Sequence, residues 1–263
     1  MYQSILTEID SGVGIITLNC AERHNAFDDL MVAELSEAVD SLAVEPAVRV
    51  IVISSTGKSF CAGADLNWMK RMAGYSSEEN LRDAHAMAEM FRRISQCPKP
   101  TVARVQGAAY GGGVGLVAAC DIAIGTLDAQ FSLTEVRLGL IPAVISPYVI
   151  AAIGERYARR YMLTAERFSA AEAYRIGLLH EMVVDQAGLD EALGEIIETL
   201  LKNGPKAMEE CKALIGFVAW RPLSPAVIED TARRITRVRA SSEGREGMSA
   251  FLEKRKPSWI IQG

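Results

Sequence analysis

The sequence predicts an α/β protein that closes in an all-helical region. Three observations carry this. Short β-branched apolar runs at Val48–Ser54 and Thr101–Val105 have the composition of strands covered on both faces. Stretches of helical period alternate with such runs through the first two thirds of the chain. From about residue 190 the strand pattern stops and helical segments follow one another. A chain of 263 residues allows one large domain, or one domain with a smaller appendage.

Taken in order, Gly12–Asn19 alternates as a strand does, and Ser4–Glu8 is its expected hairpin partner. Asp28 or Asp29 is placed to cap a helix over Leu30–Ala43, whose apolar residues share one face. The strand Val48–Ser54 leads into a loop of small residues, Ser59–Leu66. That loop leads into irregular or helical chain, and Met69–Ser77 is polar and reads as mobile. Ser76 with Glu79 forms a capping box for a helix to about Ile94, which Pro98 and Pro100 terminate. After the strand Thr101–Val105 come three glycines and the apolar helix Val114–Cys120, then strands at Asp121–Gly125 and Gln130–Leu133. Ser146 is read as an N-cap before Pro147, with a basic helix over Glu155–Leu163. Ser169 with Glu172 forms a second capping box, Gly177 a helix stop, and Leu178–Val184 a short strand. Helices are expected over Leu189–Lys202, Lys206–Val218, Ala226–Ala240 and Glu246–Arg255.

Composition excludes several classes. The chain is 49% hydrophobic and 23% charged, as soluble globular proteins are. Its net charge is −5, with one basic cluster, Lys254–Lys256, so nucleic acid is not an expected partner. No apolar run approaches the ~20 residues that span a bilayer. The start, MYQSILTEIDSG, lacks the charged and apolar segments of a signal peptide, and the expected compartment is the cytoplasm. The five cysteines show no paired spacing and read as free thiols in a reducing environment. The three histidines are scattered, without metal-ligand spacing, and no metal is expected.

The stretch Lys99–Asp121 carries the strongest chemical signal. A strand, the glycines Gly111, Gly112 and Gly113, and a buried helix place free N–H groups at a helix N-terminus, where anionic oxygen is stabilised. The same pattern also serves plain helix–strand packing. Gly57-Lys58-Ser59 fails as a phosphate loop, because Val52 stands where a glycine is required. The glycines fail the dinucleotide spacing, and no Gly-x-Ser-x-Gly elbow exists. Glu135 lies beside an apolar run, where desolvation raises a carboxyl pKa. Its alternative role is a helix-start glutamate favouring the dipole. Two small-residue turns with one acid suit proton removal beside a carbonyl.

As an ordered set, Arg23–Ala26, Phe60–Leu66, Pro98–Pro100, Gly111–Gly113 with Cys120-Asp121, Phe131–Glu135 with Leu138–Pro142, and Phe251–Arg255 resemble the enoyl-CoA hydratase/isomerase (crotonase) superfamily over nearly the whole chain. The resemblance implies a spiral of ββα units over residues 1–190 holding the active site. It also implies a helical trimerisation region over residues 191–263. Its members are commonly trimers or dimers of trimers. By the same resemblance the N–H groups of Ala64 and Gly112 form an oxyanion hole on the thioester, and Glu135 exchanges a proton with the acyl chain. Arg23, Asn25 and Ala26, with Ala62, Gly63, Asp65, Leu66 and Gly111, match the walls that hold the substrate and its CoA. Phe251 and Lys254 match residues that reach the CoA of a neighbouring subunit. No separate cofactor is implied, because coenzyme A enters as part of the substrate.

One position departs from the pattern. Where the two-glutamate hydratases carry their first glutamate, this chain has Gly115. Longer runs, among them GADLNWMKRMAGYSSEENL, are similar to bacterial hydratases of methylglutaconyl-CoA and isohexenylglutaconyl-CoA, which serve leucine and terpene breakdown. The resemblance therefore implies a hydratase for a short branched 2-enoyl-CoA, with Gly115 enlarging the pocket. A Δ3,Δ2-enoyl-CoA isomerase using one glutamate is the alternative, and a non-catalytic acyl-CoA-binding protein the third. Arg137 reads as a structural ion-pair residue, or as a partner for a substrate carboxylate.

Overall fold

The computed structural model describes residues 2–260. The chain opens with the hairpin β1 (Ile5–Asp10) and β2 (Val13–Leu18), antiparallel with Ile5 opposite Leu18. Helix α1 (Asp29–Val44) begins where Asp28 accepts the Met31 N–H at 2.8 Å. Next come β3 (Val50–Ser55), β4 (Ser59–Cys61), and the helices α2 (Leu66–Met72) and α3 (Ser77–Ser95). Then β5 (Thr101–Val105) and β6 (Ala108–Tyr110) precede α4 (Gly112–Ala119). Strands β7 (Ile122–Thr126) and β8 (Gln130–Ser132) precede a 3-10 turn at Glu135–Leu138 and α5 (Ser146–Thr164). Two short strands, β9 (Phe168–Ser169) and β10 (Glu181–Val183), flank α6 (Ala170–Arg175). The chain continues through α7 (Gln186–Leu201), α8 (Pro205–Val218), α9 (Pro225–Ala240) and α10 (Ser242–Leu252).

These strands form two sheets. The larger has the order β1-β2-β3-β5-β7-β10, and all its pairs except β1–β2 are parallel. The smaller has the order β4-β6-β8-β9, parallel until the last pair. Each turn of chain gives one strand to each sheet and then a helix: β3 and β4, β5 and β6, β7 and β8. That repetition is the spiral of ββα units. Burial follows the pleat of β3. Ile51 and Ile53 join the main core, and Val50 and Val52 face Leu193, Ile196 and Ile197 of α7. Residue 190 lies inside α7.

Several local expectations hold for local reasons. The Ser76–Glu79 box closes in both directions, at 2.7 and 3.2 Å. Cys20, Cys61, Cys97 and Cys120 are buried and Cys211 is exposed, all free. Burial pushes the Cys61 thiol up to about 12, which makes it a poor nucleophile.

Others are corrected. β4 and β6 were expected as loop. Their three residues are too few for a periodic signal, and it is pairing that makes them strands. Of the irregular or helical chain expected after the Ser59–Leu66 loop, the helix forms: Asp65 accepts the Asn67 and Trp68 N–H groups and starts α2. Ser146 is not the cap of α5. Ile145 holds that position, and Ser146 Oγ donates to Ala143 O at 2.8 Å. Gly154, at φ 72°, breaks α5 in two. Ser169 caps α6, but the Glu172 carboxylate goes to Arg175 and Tyr161 instead of returning to close a box.

The C-terminal helices and the α8–α9 connection leave apolar side chains uncovered in the single chain. Trp220 is 74% exposed, Leu223 82% and Phe251 83%. No helix among the described residues is long and apolar enough to cross a membrane.

Candidate active site

The site lies where neighbouring parallel strands of the small sheet end. β4 stops at Cys61, β6 at Tyr110 and β8 at Ser132. Their C-terminal ends deliver, within two or three residues, Ala64, Gly112 and Glu135. Parallel strands in register send their following turns to one edge, and ligand sites form there.

Two amides at this edge are free. Phe27 forms a parallel bridge to Ala64, in which the Phe27 N–H donates to Gly63 O and the Asp65 N–H donates to Phe27 O, both at 2.7 Å. That pairing uses Gly63 and Asp65, and it leaves the Ala64 N–H on the opposite side of the strand. Gly112 is the first residue of α4, and its N–H has no acceptor within the helix. Among the described residues neither amide donates a protein hydrogen bond. The two turns abut: a Cβ built on Gly63 would lie 3.0 Å from Tyr110 O and 3.9 Å from Gly111 Cα. Gly111, at φ 49° and ψ −118°, adopts a backbone that side chains disfavour, and this turns β6 sharply into α4.

A cavity of about 380 Å³ opens against these turns. Ala62, Gly63, Ala64, Leu66, Gly111, Gly112 and Glu135 all border it. Apart from Thr134, the rest of its wall is apolar among the described residues, and includes Met69, Met72, Met87, Leu138, Ile141 and Ile145. Among the described residues, Glu135 is its only ionisable side chain. Oε2 of Glu135 is buried without a hydrogen-bond partner, and burial raises the carboxyl pKa above the ordinary glutamate value. The arrangement can polarise a carbonyl oxygen and exchange a proton beside it.

The remaining expected residues lie off the cavity, and several are committed elsewhere. Asn25 is buried; its Oδ1 accepts the Cys20 N–H, and its Nδ2 donates to Thr56 O and Ser59 O. Its side chain braces two loops and has no donor left to offer. The Asp65 carboxylate caps α2 and stands 3.8 Å from Arg23. The Arg23 guanidinium is held by Asp28. Ala26 is buried beneath this loop. Phe251 and Lys254 are exposed at the end of α10, away from the cavity of their own chain. Arg137 is exposed and forms no ion pair among the described residues, so the ion-pair reading fails.

Gly115 requires the sharpest correction. It does not enlarge the pocket and does not border it. A Cβ on Gly115 would lie 2.2 Å from Ile145 Cγ2 and 3.1 Å from Phe91. Ile145, only 3% exposed, fills the space beside this glycine. Gly115→Ala is expected to lower the melting temperature through an overpacking cost of about 1–3 kcal/mol. The Gly115→Ala/Ile145→Ala double variant is expected to lose less than the two single losses added together. Thermal denaturation of the three variants checks this, and strict additivity would refute the contact.

Met87 was missed in the sequence because Met87, Met90, Phe91 and Ile94 form an ordinary core stripe on α3. Nothing in that period separates the one that meets the cavity from those that do not.

Turn amides and one half-buried acid at the edge of a two-sheet spiral describe a class of proton-transfer enzymes acting on carbonyl compounds. The chain belongs to the enoyl-CoA hydratase/isomerase family, which it matches over residues 8–262. It superposes on a crystal structure of an enoyl-CoA hydratase from Shewanella pealeana with a TM-score of 0.95. That pair is 42% identical, over 98% of this chain and 96% of the other. A crotonyl-CoA hydratase of Syntrophomonas wolfei is 32% identical over 263 residues, 98% of each chain. The peroxisomal Delta(3,5)-Delta(2,4)-dienoyl-CoA isomerase of Arabidopsis thaliana is 33% identical over 259 residues, 94% of this chain and 92% of its own. Hydratases and isomerases thus both stand among the relatives.

Proposed function

We propose that the protein hydrates a short branched 2-enoyl-CoA, with Glu135 as its sole acid and base. The Ala64 and Gly112 N–H groups polarise the thioester oxygen. The observation that carries this is the buried, unpartnered Glu135 Oε2 at the edge where both free amides end. Burial raises the Glu135 pKa and so favours the protonated carboxyl, the form that donates to the α carbon of a polarised enoyl thioester. The three methionines of the wall adapt to irregular acyl shapes, which supports a branched chain.

The lining refines the substrate. A second carboxylate, as in 3-methylglutaconyl-CoA or isohexenylglutaconyl-CoA, meets no Lys or Arg among the described residues of the cavity wall. Burying that charge unpaired is costly. The geometry therefore favours a branched apolar acyl group over a dicarboxylic one. The exposed apolar faces of α8–α10 support assembly into a trimer or a dimer of trimers, in which Phe251 and Lys254 meet a neighbour's CoA. Isomerisation is the second reading, favoured by the single acid and by Ile145 in the space beside Gly115.

A panel of enoyl-CoA esters, with and without a distal carboxylate, run in heavy-oxygen water tests these readings. Hydration incorporates the label and isomerisation does not. The expected result is labelled 3-hydroxyacyl-CoA, formed fastest from branched apolar esters. Unlabelled, double-bond-shifted product overturns hydration, and binding without turnover of any ester overturns catalysis.

A further inference from the structure

Besides Glu135, one polar side chain among the described residues borders the cavity: Thr134. It sits at the start of the 3-10 turn that carries Glu135, yet its hydroxyl caps nothing. Among the described residues it makes no hydrogen bond. Such N-terminal threonines usually accept a backbone N–H, so this hydroxyl is left available. The position a Cβ on Gly111 would take lies 3.2 Å from Glu135 Oε1 and 3.7 Å from Thr134 Oγ1. Both oxygens therefore face the same small space over the Gly111 backbone. Opposite them the wall is apolar, and Ile145 closes off the space beside Gly115.

Hydration needs a water molecule held against the acyl chain. We propose that the Thr134 hydroxyl holds it, an inference that rests on the hydratase reading above. A hydroxyl both donates and accepts, so it can orient water without carrying charge into an apolar cavity. Glu135, protonated, gives its proton to C2. The water oxygen bonds to C3 as the C2–C3 π bond is lost, and the proton the water releases returns to the Glu135 carboxylate. Atoms and charge balance over the cycle: one water is consumed, and Glu135 ends protonated as it began.

Thr134→Val keeps the shape of the side chain and removes the hydroxyl. It is expected to slow incorporation of heavy oxygen from water about 10- to 100-fold, mostly in kcat. Exchange of solvent deuterium into C2 of a saturated acyl-CoA, where no water adds and only Glu135 and the amides act, is expected to continue at the wild-type rate. Thr134→Ser is expected to recover most of the hydration. Equal hydration by wild type and Thr134→Val overturns the role while the hydratase reading stands. Parallel loss of hydration and deuterium exchange assigns Thr134 a structural role and also overturns the proposal. A wild-type protein that incorporates no label on any ester overturns the hydratase reading, and the role of Thr134 with it.

Discussion

Glu135→Gln is expected to turn over its enoyl-CoA substrate about 10²- to 10⁴-fold more slowly than wild type, with thioester affinity largely kept. The amide has nearly the shape of the carboxyl and cannot exchange a proton. The Ala64 and Gly112 N–H groups do not depend on it, so binding of the thioester oxygen survives. Among the described residues no other ionisable side chain borders the cavity to take over the proton. Steady-state turnover together with calorimetric binding of a non-reactive acyl-CoA checks this. Wild-type turnover would remove Glu135 from the chemistry, whereas lost binding would make it a structural residue.

The same substitution is expected to stabilise the protein near neutral pH. Burial raises the pKa of Glu135 in the folded state above its unfolded value of about 4.3. Below the unfolded pKa both states are protonated, and the group's favourable contribution is fully present. That contribution is lost as pH rises through the folded pKa, because the folded protein must then hold a buried charge. Glutamine is neutral throughout. The variant should therefore melt higher than wild type at pH 7–8, and its advantage should fade below about pH 4. Melting curves across pH decide it, and an advantage that grows in acid would show that the carboxylate is stabilised.

Gly113→Ala is expected to carry the second large effect. A Cβ there would lie 2.3 Å from Cys61 O and 3.0 Å from Cys61 Cβ. The obstacle is backbone, which cannot rotate aside as a side-chain tip does. α4 and β4 must part, at a cost of about 1–3 kcal/mol, which for a chain of this size lowers the melting temperature by roughly 2–4 °C per kcal/mol. Parting these elements also separates the turn that carries Ala64 from the turn that carries Gly112. A misplacement of about 1 Å in such a site costs on the order of 10²-fold in rate. The expected result is a folded, less stable protein with kcat down about 10²-fold and Glu135 intact. A lowered melting temperature with wild-type kcat would show that the two amides do not act together.

Much of the fold was legible because it is set locally. The Asp28 cap, the Ser76–Glu79 box and the strands at β3 and β5 depend on residues within a turn or two of each other. The three-residue strands β4 and β6 were not legible, because they exist through partners almost fifty residues apart in the chain. Glu135 could be picked out by an acid beside an apolar run, but Thr134 beside it carries no signal until its empty hydroxyl is placed next to Gly111. Asn25 and Asp65 have side chains suited to a ligand, and only their contacts reveal them as a loop brace and a helix cap.

The amino-acid order by itself determined the elements, their caps and the glycine turns, since each is a choice made between near neighbours. It also singled out one acid. Which turns share a cavity, which amides stay free and what fills the space beside Gly115 were decided only in three dimensions. Each of those depends on atoms from Phe27, Cys61, Gly111 and Ile145 meeting within a few ångströms, and no spacing along the chain encodes that meeting.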